Sequence, residues 1–79
     1  MYYALRLGFG SEGHGELIFV CKGKTLEQCR TRAIFALRHQ FGGNWGSQLA
    51  NTFIGSREWL HKQWRAHQVD AAIATSVRR

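Results

Sequence analysis

Four histidines (His14, His39, His61, His67), two cysteines (Cys21, Cys29) and five carboxylates are the residues of this 79-residue chain that could hold a metal or move a proton. Their spacing does not gather them. Cys21 and Cys29 are eight apart, without the two-residue gap of a zinc knuckle. His61 and His67 are six apart, about 240° round a helix, so they face different ways. Asp70 and the four glutamates are spread through a loop, a strand start and two helices. A metal-dependent nuclease needs several carboxylates converging on its ions. A metal-free ribonuclease would use histidine with lysine, and His14, between two glycines, is the candidate base. Gly8, Gly10 and Gly13 match a GxGxxG spacing but join two strand-like segments. The phosphate-cradling mechanism needs a strand that leads into a helix. The reading is of a protein that binds rather than catalyses, with no metal and no cofactor.

The cations are the stronger signal. Eleven Lys/Arg against five Asp/Glu give a formal charge of +6. On a small domain this favours nucleic acid, an anionic surface or an acidic protein as partner. Arg32, Arg38 and His39 share one helix face with Phe35 between them, and Arg57, Lys62 and Arg65 share the outer face of a later helix. Lys22 and Lys24 flank a strand-to-helix turn, and Arg78 and Arg79 end the chain. Trp45 lies in a glycine-rich stretch, where it either plugs the edge of the core or meets a ligand. Phe35 is likewise a packing contact or a recognition residue. Positive groups interleaved with an aromatic suit phosphate contact with base stacking. A solvated helix face carries the same residue types, and no helix-turn-helix, RRM or KH signature is present. The expected interface is Arg32, Phe35, Arg38, His39, Trp45, Arg57, Lys62 and Arg65.

A small inhibitor or adaptor that docks on a larger protein is the alternative. Three tryptophans on a short chain suit it, because tryptophan, other aromatics and arginine make interface hot spots. In size and build the chain resembles the short anti-defence proteins of phages and mobile elements, including the anti-CRISPR type. The likeness covers no motif and transfers no residue. It implies a partner within a nucleic-acid-handling complex, and the +6 charge speaks against mimicry of DNA.

The elements that would position these residues centre on TLEQCRTRAIFALRHQF, residues 25 to 41. Thr25 with Gln28 forms a capping-box pattern, and Gly42 and Gly43 supply the stop. Leu26, Ala33, Ile34, Leu37 and Phe41 fall on one arc with Cys29 and Ala36 at its edge, so that face should be buried. Arg30 near the arc's centre should pack its stem and send its head to water. Met1–Gly10 alternates as a strand with one buried face (Tyr3, Leu5, Leu7, Phe9), Ser11–Gly15 reads as a turn, and Glu16–Lys22 is a second strand with Leu17, Phe19 and Cys21 on one face and Ile18 and Val20 on the other. Both faces of that strand are apolar, which suggests a covered or central strand rather than an outer one, and which a bare hairpin cannot protect. A third strand from residues 48–54, the second helix or a second copy of the chain would do so. Residues 42–47 read as loop. Ser56 caps a second helix running on to Ala74, with Leu60, Trp64, His67, Ala71 and Ala74 along one face and Trp59, Ala66, Ile73 and Val77 widening it into a second apolar edge.

The expectation is one α+β domain over residues 1–79: an N-terminal antiparallel β-hairpin packed against two α-helices, with a short third strand as an option, in the order ββα(β)α. The cysteines suit a reduced, cytoplasmic setting better than a disulfide framework. No basic-then-apolar leader is legible, and no apolar run approaches the ~18 residues of a membrane span.

Overall fold

A computed structural model describes residues 1–9 and 15–78, the last two by backbone alone. The turn expected over Ser11–Gly15 (Gly15 excepted), the candidate base His14, the glycine spacing through Gly10 and Gly13, and Arg79 lie outside the described residues.

The fold is α+β. Strands β1 (Tyr2–Leu7), β2 (Leu17–Gly23) and β3 (Thr52–Ser56) form an antiparallel sheet in the order β2-β1-β3. Helix α1 (Leu26–Phe41) is followed by a 3-10 turn (Gly42–Asn44) and a short helix α2 (Trp45–Ala50), and β3 leads into α3 (Arg57–Gln63) and α4 (Ala66–Ala74). The third strand therefore exists, starting four residues and ending two residues later than expected, and it pairs with β1. This makes β1 the central strand and leaves β2, whose two apolar faces suggested a covered or central place, at the edge of the sheet. The stretch expected as a loop over residues 42–47 is helical for most of its length.

The central strand β1 is buried on both faces and not on one as expected, because helices pack on either side of the sheet, while Phe9 beyond its end is exposed. Tyr3, Leu5 and Leu7 of β1 meet Leu60 of α3 and Val69, Ala72 and Ile73 of α4. Ala4, on the opposite face, meets Cys29 and Ala33 of α1. This alternation is the period of two that a strand imposes. In β2 the period breaks. Ala4 pairs with Cys21 and Leu5 with Phe19, so Val20 is an extra residue in the ladder. The bulge moves Cys21 to the α1 side with Val20, away from the Leu17–Phe19 face expected for it. Arg6 shares Ala4's face and is buried, its guanidinium 4.8 Å from the ring centre of Phe41 on α1.

Helix α1 begins as its residues dictate. The Thr25 hydroxyl accepts from the Gln28 N–H at 3.0 Å. The Gln28 side chain reaches back one residue further than expected, to the N–H of Lys24 at 2.7 Å. Gly42 stops the helix at φ 56°, a conformation that favours glycine. Cys29, Ala33 and Leu37 are buried, whereas Leu26 is 50 % exposed, because the first turn lies beyond the apolar cluster.

The second helix is broken. Trp64 is extended (φ −148°, ψ 166°), which ends α3 and lets α4 start in a new direction. The break resets the helical phase: His67, Ala71 and Ala74, expected inside, are exposed, as is Ala66 of the second apolar edge, while Val69 and Ala72, expected on neither, are buried beside Ile73. Trp59 of that edge, ahead of the break, is exposed as well. Among the described residues no helix is long and apolar enough to cross a membrane.

Candidate nucleic-acid interface

With Cys29, Ala33 and Leu37 turned to the sheet, α1 must present its opposite side outward. Phe35 lies at the centre of that side and is 77 % exposed. Arg32 and Arg38 lie three residues either side of it and His39 four residues on, the spacings that make helix neighbours. The Arg32 Nη1 donates to the Lys22 carbonyl at 3.0 Å, which draws this cation toward the end of β2. The Arg38 guanidinium lies 5.5 Å from the ring centre of Trp45, which the 3-10 turn brings back beside the last turn of α1. Trp45 is half-buried and offers its ring to Arg38. Phe35, Arg38 and His39 line a shallow depression of about 360 Å³.

Glu27, at the first turn of α1, lines a depression with Arg32, and beyond it the charges along the helix are of one sign. No Asp or Glu occurs between Gln28 and Arg57. Neither Arg32 nor Arg38 pairs with a carboxylate among the described residues. Charges left unpaired on an exposed face stay available to an anionic partner.

The other expected site residues are elsewhere. Arg57, Lys62 and Arg65 belong to the α3–α4 layer, on the far side of the sheet from α1. Arg57 is engaged: its Nη1 lies 3.3 Å from Asp70 Oδ1 and its guanidinium stacks 5.8 Å from the ring centre of Tyr3. His61 Nε2 meets the same Asp70 oxygen at 2.8 Å. Lys62 and Arg65 line a depression of about 590 Å³ with Trp64 and Gln68 at the α3–α4 corner. The eight residues are thus two groups, five around the outer side of α1 and three behind the sheet.

Sequence reasoning missed a third surface. Tyr2, Leu26, Ile54 and Trp59 line an apolar depression of about 410 Å³, with Trp59 41 % exposed. Its signals were Leu26 in the first helical turn and Trp59 in the later helix, each read as part of an inward apolar face.

Both thiols are held towards their protonated forms. The Cys21 Sγ donates to the Cys29 carbonyl at 3.4 Å, and both cysteines are free. Burial, then the neighbouring Cys29, pushes the Cys21 thiol up to about 12. Burial also raises the Cys29 thiol, and nearby Arg32 opposes both shifts. The thiolate is the reactive form, and it is disfavoured here. Among the described residues no three of His, Cys, Asp or Glu come together as a metal site would require. No family model, curated protein or solved structure matches the chain.

Proposed function

We propose that the protein binds nucleic acid through the outer face of α1. The observation that carries this reading is Phe35, 77 % exposed at the centre of a cationic face with no carboxylate nearby in sequence. A ring left in water forgoes roughly 1.5–3 kcal/mol of burial. Arg32 and Arg38 on either side are spaced to meet phosphates while the ring meets a base. The reading is one of binding without a catalytic step, in a cytoplasmic setting where two free thiols persist.

The test is a titration with mixed-sequence nucleic acid followed by tryptophan fluorescence at two salt concentrations. Binding should weaken about tenfold or more between 50 and 200 mM salt, because condensed counterions are released from phosphates. Changing Arg32→Glu together with Arg38→Glu should abolish it. Unchanged binding in that variant would remove α1 from the reading.

A second reading rests on the apolar depression at Tyr2, Leu26, Ile54 and Trp59. An exposed tryptophan beside a shallow apolar surface is the anatomy of a protein hot spot, and the occupant would be a protein of a nucleic-acid-handling complex. Under this reading Trp59→Ala costs more than tenfold in partner affinity while Arg32→Glu with Arg38→Glu costs little. The reverse order would dismiss it.

A further inference from the structure

We infer that the ligand of the α1 face is single-stranded, with one unpaired base stacked on Phe35 and the phosphates either side of it held by Arg32 and Arg38. This rests on the nucleic-acid reading above and narrows it. An exposed basic helix could instead enter the major groove of a duplex, which is wide enough to admit one. Groove reading needs arginines that project from the helix to reach base edges bidentately. The two arginines here do the opposite. Arg32 is folded down onto the Lys22 carbonyl at 3.0 Å, and Arg38 lies back over the Trp45 ring at 5.5 Å. Phe35 is left standing between them at 77 % exposure.

A ring flanked by two lowered cations is a stacking platform with a backbone track on each side. In a duplex each base already has both faces covered by its neighbours. In a single strand a base face is free, and any base offers one. The Arg38–Trp45 pair adds a second flat, cationic surface beyond the end of the helix. From Leu26 to Arg38 the helix rises about 18 Å, which suits the short end of single-strand site sizes, on the order of four nucleotides.

The test uses the full chain with fluorescein-labelled 12-nucleotide DNA and RNA strands and the matching DNA and RNA duplexes. Either single strand should bind at least about tenfold more tightly than its duplex, and the DNA and RNA arms show which strand is preferred. Phe35→Ala should weaken single-strand binding by about fivefold to a hundredfold. Phe35→Trp should restore it and show quenching of the new indole. Circular dichroism of each variant checks folding, which an exposed position leaves intact. Equal binding of duplex and strand, with Phe35→Ala changing neither, overturns the inference and leaves the nucleic-acid reading standing. Salt-insensitive binding, or none to any probe, overturns both.

Discussion

Single side chains show how far a residue's type predicts its place. Phe35 is apolar and exposed, Arg6 is charged and buried, and each position follows from the helical or strand phase rather than from hydropathy. Arg6 sits on the same strand face as Ala4, so α1 closes over it and Phe41 receives its guanidinium. Cys21 is the residue with the clearest pH consequence. Its folded-state value of about 12 lies above the roughly 8.5 of an unfolded cysteine. A raised value means the folded state prefers the protonated thiol, so the contribution to stability is complete below about pH 9 and is lost as pH rises towards 12. Denaturant midpoints measured from pH 8 to 11 should fall more steeply for the wild type than for Cys21→Ala. Parallel curves would show that the thiol is not held in its protonated form.

Elements are shaped where the chain leaves its regular period. The bulge at Val20 and the break at Trp64 each turn a face by one step, and neither is marked by proline. The break has a visible reason. In an unbroken helix His61 and Asp70 would lie on opposite sides and about 13.5 Å apart along the axis. Ending α3 at Gln63 lets α4 return, so that Asp70 meets both His61 and Arg57 while the Trp64 ring packs 5.6 Å from Phe53. A tighter constraint holds where β2 passes into α1. A methyl group on Gly23 would come within 2.7 Å of the Cys29 backbone nitrogen, an atom of the helix itself that cannot swing aside. Gly23→Ala should therefore destabilise the protein by about 1–3 kcal/mol, read as a lowered urea midpoint. A midpoint equal to the wild type would mean that strand and helix separate easily there.

For the whole molecule the deciding feature is the sheet between the two basic surfaces. A strand lying along α1 does not reach Lys62 and Arg65 without passing round the sheet edge. Net charge alone would nonetheless draw nucleic acid to either side. The charge-reversal experiment can separate the two effects. Lys62→Glu with Arg65→Glu removes the same four units from the formal +6 as reversing Arg32 and Arg38. If the interface is α1, the Lys62 and Arg65 pair weakens binding modestly through the general field, and the Arg32 and Arg38 pair abolishes it. Equal losses would mean that the protein attracts nucleic acid as a charged body without a defined face.

Legible in the residues alone were the two N-terminal strands, the start and stop of α1, the cap of α3 and the exposed cationic side of α1. Each depends on signals within a few residues: period-two alternation, Thr25 with Gln28, Gly42, Ser56, and the apolar arc through Ala33 and Leu37 that leaves Phe35 on the opposite side, although Leu26 at one end of that arc and Cys29 at its edge change places. Decided only in three dimensions were the pairing of β3 with β1, the flip of Cys21, the corner at Trp64 and the division of eight candidate residues into two groups. These depend on contacts between distant parts of the chain, such as Phe53 with Trp64 and Asp70 with His61. A local pattern cannot encode them, because a one-residue slip in a ladder or a helix changes every face that follows it.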